Sequence, residues 1–203
     1  MNTKYNSIRL DYRIILDLIP EGSSVLDLGC GTGELLYLLI KEKKVKGQGI
    51  EIDEKAIYMC VEKGLSVLHW DLDSGLSEYK DKSFDYVILN QTIQELKKPE
   101  IVLKESLRVG RKAIVSFPNF ACYQARFQIF FKGRTPVTPS LPYRWYDTPN
   151  LHFLSISDFI EYCRERDIEI EKALFIGKSK RVILFPNLLS QVGIFIIRNR
   201  DKS

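Results

Sequence analysis

Two hydrophobic rhythms take turns along this chain. Short runs rich in β-branched residues, at 24–28, 47–52, 65–69, 84–89 and 112–117, alternate with stretches at 35–44, 55–63 and 100–109 whose apolar positions recur every three or four residues. The first rhythm predicts strands and the second helices. Because the runs are apolar on both faces, the strands must be covered from both sides, which implies a doubly wound, largely parallel sheet. A helix over 10–19 precedes the first strand and is stopped by Pro20-Glu21-Gly22. The last third reads differently. An irregular segment is predicted from Phe117 to Phe153, then Ser155 and Asp158 form a capping box for a helix ending at Arg166. Runs at 168–175 and 192–198 predict an antiparallel pair at one edge of the sheet.

Length and composition narrow the class. With 203 residues and 45% apolar content the chain builds one sizeable core, so a single domain over 1–203 is expected. Thirty basic against 26 acidic residues leave a net charge of +4, too even to make bulk electrostatics an argument for nucleic acid or an anionic membrane. Cys30, Cys60, Cys122 and Cys163 are scattered, with no metal-binding spacing, so a reduced cytoplasmic setting without a bound metal is expected. Residues 1–6 lack an apolar signal region, and the apolar stretch 182–197 is broken by Pro186, Asn187, Gln191 and Gly193, so no membrane segment is expected.

The chemistry concentrates in Asp27-Leu28-Gly29-Cys30-Gly31-Thr32-Gly33, between the first strand and the helix opened by Glu34. Alternating glycines permit unusual dihedrals and close approach of a ligand to the backbone. In a doubly wound sheet this turn lies where ligands bind, outside the carboxyl ends of the strands. Glu51 ends the second strand 24 positions after Asp27, where such folds place an acid that accepts from ribose hydroxyls. A pyrophosphate at this loop would meet Asp27 and Glu34, whereas a cationic nucleoside would be welcomed. S-adenosylmethionine, with its sulfonium and ammonium groups, is such a ligand.

These motifs, with Gly49-Ile50-Glu51-Ile52-Asp53 and Asp71-Leu72, resemble the class I S-adenosylmethionine-dependent methyltransferases over residues 10–120. The resemblance implies a Rossmann-like, mostly parallel seven-stranded sheet with an antiparallel edge strand. It also implies that Asp27 and the backbone of Gly29, Cys30, Gly31 and Gly33 hold the methionine part, Glu51 the ribose, and Asp71 with Leu72 the adenine edge of S-adenosylmethionine or S-adenosylhomocysteine, with Ile52 also among the cofactor-binding residues. Asn90, ending the fourth strand, borders the cofactor or caps a turn. Asp53 is read as a helix cap, Asp73 as an alternative to Asp71, and Cys30 as a small inert residue. Alignment alone can drive transfer from a sulfonium, so no catalytic residue is assigned.

Residues 117–153 hold ten of the 23 aromatic residues, and four basic residues there face one acid, Asp147. Such a segment is expected to lie across the cofactor mouth as a lid, to dock a protein, or in part to complete the core. A nucleic-acid groove is the weaker reading, because the segment carries only four basic residues, and the fourth strand is followed by Gln91-Thr92-Ile93-Gln94 and not by the N/D-P-P-Y sequence that resembles enzymes methylating amino groups of nucleic-acid bases. Pro136-Val137-Thr138, Leu141 to Asn150, His152, Asp158-Phe159, Gln91-Thr92 and Gln94 together resemble the methionine biosynthesis MetW family. That resemblance implies action with homoserine O-acyltransferase as partner. The alternative is methyl transfer from S-adenosylmethionine to a small-molecule acceptor. His152 is given no role.

Overall fold

The computed structural model describes residues 8–178 and 180–200. The opening residues 1–6, read above for a signal region, lie outside the described residues. Among the described residues no helix is long and apolar enough to cross a membrane. The chain forms a seven-stranded sheet of order β3-β2-β1-β4-β5-β7-β6, built from β1 (Ser24–Leu28), β2 (Lys46–Glu51), β3 (Val67–His69), β4 (Phe84–Asn90), β5 (Gly110–Pro118), β6 (Ile168–Ile176) and β7 (Val192–Asn199). The sheet is mostly parallel, with an antiparallel edge, as the hydrophobic pattern predicts.

The backbone groups into two compact units. The first runs through Asn90 and takes in Glu100–Ile114. Its helices are α1 (Leu10–Leu18), α2 (Glu34–Lys43), α3 (Glu54–Glu62) and α4 (Pro99–Val109), close to the predicted spans. Val25, Leu26 and Leu28 of β1, Ile50 of β2 and Val87, Ile88 and Leu89 of β4 are fully buried, which is why these runs read as apolar on both faces. Strand β1 pairs in parallel with β2 on one side and β4 on the other, so the winding reverses between β1 and β4. Register sets what lies at the carboxyl ends. Leu28 stands opposite Ile50, Glu51 opposite His69, and Asp27 opposite Ile88.

The second unit comprises Gln91–Pro99 and the chain from Val115 on. Here the expectation of an irregular 117–153 is corrected: Tyr123–Lys132 is a ten-residue helix, α5, ended by Gly133 in the left-handed region. Its only buried residue is Ala125, so the usual inward apolar stripe is absent. The predicted capping box is present at α6 (Ile156–Glu165), where Ser155 accepts from the Asp158 N–H and Asp158 from the Ser155 N–H. Strands β6 and β7 pair antiparallel, and the ladder skips Glu171 in a bulge. A one-turn helix, α7 (Pro186–Leu189), leads into β7.

Part of the aromatic segment does complete this unit's core. Phe117 packs on Phe159 at 5.1 Å and stacks on Phe195 at 5.7 Å. Fully buried Asn119 ties three backbone segments together: its amide nitrogen donates to the carbonyls of Ser190 (2.8 Å) and Asn187 (3.0 Å), and its oxygen accepts from the N–H groups of Ala121 (3.1 Å) and Ile156 (3.4 Å).

Candidate functional site

The site grows from the turn after β1. The N–H groups of Gly29 and Cys30 both donate to the Ile50 carbonyl, at 2.8 and 3.0 Å, so the loop is pinned to the end of β2 as soon as the strand stops. Gly29, Gly31 and Gly33 all have positive φ, a conformation that side chains disfavour. Beyond φ, their reasons differ. A Cβ on Gly33 would stand 2.4 Å from Leu65 Cδ1 and 2.8 Å from Cys60 Sγ, so this glycine permits the loop to seat on α3. A Cβ on Gly31 would meet nothing within 4 Å, so that position faces open space from which a ligand can reach the backbone.

Glu51 reaches back to the loop. Its Oε2 accepts from the Gly31 N–H at 2.7 Å, and its Oε1 from the N–H groups of Ile52 (2.8 Å) and Asp53 (3.0 Å). Three of the roughly four lone-pair directions of the carboxylate are thereby used, fixing it beside Gly31 with one direction left for a hydroxyl donor. Asp27, only 2% exposed, lies on β1 under the turn. Burial, and secondarily the charge of Glu51, push its carboxyl up to about 7. The charged form of Asp27 is thus disfavoured where it stands, and a cation beside it would favour that form.

The other predicted residues take their places at adjoining strand ends. Ile52 leaves β2 with 58% of its surface exposed, an apolar platform next to Glu51. The Trp70 N–H donates to the Glu51 carbonyl (3.1 Å), which places Asp71 and Leu72 just beyond. Asp71 caps a short 3-10 turn by accepting from the Asp73 N–H (2.9 Å), and Leu72 is buried, its carbonyl accepting from the Gly75 N–H (2.9 Å). Asn90 ends β4 two residues past the partner of Asp27. Asp53 caps α3 through the Lys55 N–H (3.1 Å), as read from sequence.

Cys30 and Cys60 both point their thiols at the Gly31 carbonyl, at 3.9 and 3.2 Å, and burial pushes both upward, as an inert packing role requires. The four cysteines are free thiols. His152 is an exposed residue of the second unit whose N–H donates to the Gln94 carbonyl (3.0 Å).

Sequence reasoning passed over the wall beside Glu34. A cavity of about 250 Å³ is lined by Arg9, Tyr12, Glu34, Tyr37 and Lys63, and the Lys63 ammonium donates to the Thr32 carbonyl (2.6 Å). Burial raises the Tyr12 phenol, Arg9 opposes the rise, and the charges of Asp11, Glu34 and Asp27 add to it. Tyr12 sits on α1, with no motif around it; only the packing of α1 on α2 reveals it.

Comparison with known proteins gives the relationships. The family described as methionine biosynthesis protein MetW matches residues 9–197. The chain is 38% identical over 178 residues to the bifunctional methionine biosynthesis protein MetXA/MetW of Rhodopirellula baltica, a match covering 83% of this chain but only 29% of that protein's length. Among solved structures, a SAM-dependent methyltransferase from Archaeoglobus fulgidus superposes with a TM-score of 0.68 at 18% identity, covering 93% of this chain and 91% of that one. A TehB-like SAM-dependent methyltransferase from Corynebacterium glutamicum gives 0.64 at 18% identity, covering 96% and 90%. The fold is therefore that of the Rossmann-like class I methyltransferases, and over nearly its whole length the chain belongs to the MetW family.

Proposed function

We infer that this chain binds S-adenosylmethionine at the Gly29–Gly33 turn and serves methionine biosynthesis as a cofactor-binding partner of homoserine O-acyltransferase. The observation that carries the ligand class is the pair of acids, Asp27 beneath the turn and Glu51 bonded to the Gly31 N–H, around an approach that a Cβ at Gly31 would leave open. A phosphorylated dinucleotide would add anions to that pair, while a sulfonium and an ammonium neutralise it. The residues fit the group: Glu51 keeps a lone-pair direction for a ribose hydroxyl, exposed Ile52 offers a flat base an apolar face, and Asp27 answers the amino-acid cation. Bound there, the cofactor carries an activated methyl on sulfur.

The pairing is supported by the resemblance to MetW, which implies the acyltransferase, and by the bifunctional MetXA/MetW relative, in which this chain's counterpart is part of a longer protein. Calorimetry with S-adenosylmethionine, S-adenosylhomocysteine and NADH tests the ligand. Binding of the first two, abolished by Asp27→Ala with Glu51→Ala, is expected; tight NADH binding would overturn it. Acyltransferase activity measured with and without this chain and cofactor tests the pairing, and an unchanged rate with no complex would remove it. Incorporation of labelled methyl into small acceptors would shift the reading to a methyltransferase in its own right.

A further inference from the structure

Between the carboxyl end of α5 and the turn at 144–147 the second unit holds a cavity of about 670 Å³, a size that suits a small molecule. Its wall carries Lys132, Arg134 and Arg144, the Thr135 side chain and the rings of Trp145 and Tyr146, and no carboxylate. Among the described residues none of the three cations is in an ion pair. Asp147, the one acid between 118 and 153, does not line the cavity and is occupied in accepting from the Arg144 N–H (2.6 Å). Local bonds hold the wall in shape. Gly133, in the left-handed region, ends α5 and turns the chain between Lys132 and Arg134. The Gln128 side chain donates to the Val137 carbonyl (2.8 Å) and accepts from the Val137 N–H (3.1 Å), tying the returning chain to the helix. The Arg144 guanidinium donates to the Tyr146 hydroxyl (3.1 Å), which orients it and leaves its other N–H donors for a ligand. Trp145 meets Tyr146 edge to face, with 74% of its own surface exposed.

Three cations around one concavity repel one another and focus a positive potential into it. The carbonyl end of α5 opposes them with only about half a charge. A multivalent anion relieves that repulsion. A single carboxylate would leave two of the cations uncompensated, whereas two linked phosphates match all three, and the arginine fork suits phosphate oxygens. An exposed indole face stacks on planar bases. We propose that this cavity binds a small nucleoside-diphosphate-type ligand, its phosphates among Lys132, Arg134 and Arg144 and its base on Trp145. The Gly29–Gly33 turn, flanked by Asp27 and Glu51, selects the opposite charge, so this site is separate from the one proposed above and does not rest on it.

Calorimetry on the full chain, at about 0.15 M salt, uses inorganic phosphate, pyrophosphate and guanosine diphosphate as probes. Pyrophosphate is expected to bind at least about 10-fold tighter than phosphate, and guanosine diphosphate at least about 5-fold tighter than pyrophosphate, as stacking of one base implies. Arg134→Gln with Arg144→Gln is expected to weaken both at least about 30-fold and to flatten the salt dependence. Trp145→Ala is expected to erase only the advantage of guanosine diphosphate over pyrophosphate. Lys55→Gln on α3, outside the cavity, is expected to bind as the unmodified chain does. All these side chains are exposed, so circular dichroism and melting temperature stay unchanged. NADH carries the same groups, so its titration is repeated in the double arginine variant: binding kept there lies elsewhere and counts against the S-adenosylmethionine reading, while binding lost there belongs to this cavity. No binding of pyrophosphate or guanosine diphosphate to the unmodified chain, or binding of them that survives the arginine variant, overturns the proposal. A single-stranded oligonucleotide or a hexaglutamate peptide that binds tighter than guanosine diphosphate assigns the cavity to a macromolecule and overturns it too.

Discussion

Replacing Asp27 by Asn tests the electrostatics of the site directly. The Asp27 carboxyl is raised from its ordinary 3.8 to about 7, because it is buried and, to a smaller extent, because Glu51 is near. In the unfolded chain the group gives up its proton near 3.8; in the folded protein it keeps it to about 7. Between those values the native state binds the extra proton, so stability is greatest at low pH within this window and falls as pH rises through the folded value. The full gap is worth about 4 kcal/mol, and the part lost between about pH 6 and pH 8 is about 1.4 kcal/mol. For a chain of this size that lowers the melting temperature by about 3–6 °C. Asp27→Asn keeps the shape and removes the titration. Its melting temperature at pH 8 is therefore expected to exceed that of the unmodified protein, and the stability difference should narrow by about 1.4 kcal/mol toward pH 6, closing only near the unfolded value of 3.8. Differential scanning calorimetry across that range reads it. The reasoning fails if the two proteins lose stability in parallel, or if the variant is the weaker one at pH 8. The same carboxyl makes cationic ligand binding release about half a proton at pH 7, detectable as a buffer-dependent binding enthalpy.

Further predictions concern packing. Gly33→Ala forces a methyl against Leu65 and Cys60 and should cost about 2–4 kcal/mol in urea unfolding. Gly31→Ala, with open space around it, should cost about 1–2 kcal/mol, from φ alone. Asn119→Ala removes the donor to the Ser190 and Asn187 carbonyls and should destabilise by about 2–3 kcal/mol, with the loss visible as faster amide exchange at 186–191. Ser155→Ala breaks the capping box of α6 and should cost about 1 kcal/mol in the same urea assay.

What could be read in advance follows from which forces leave a pattern in one dimension. The parallel strands were legible because their two-sided burial leaves runs such as Val87-Ile88-Leu89, and the acid at 51 because strand register carries it to the loop. Helix α5 was not, since a helix whose large residues face outward has no inward stripe to count, and its N-cap, Cys122, supplies no capping side chain. Tyr12 and Cys60 reach the loop only through packing between elements distant in sequence. The carboxylate of Glu51 could be placed near the turn from spacing alone, but its bond to the Gly31 N–H could not.

The two rims of the sheet decide how this protein can meet others. Strand β3 is three residues long, and β6 is dented at Glu171, so neither offers a long, even ladder of free amides to an incoming strand. Fibre-like growth by strand addition is thereby discouraged at both borders.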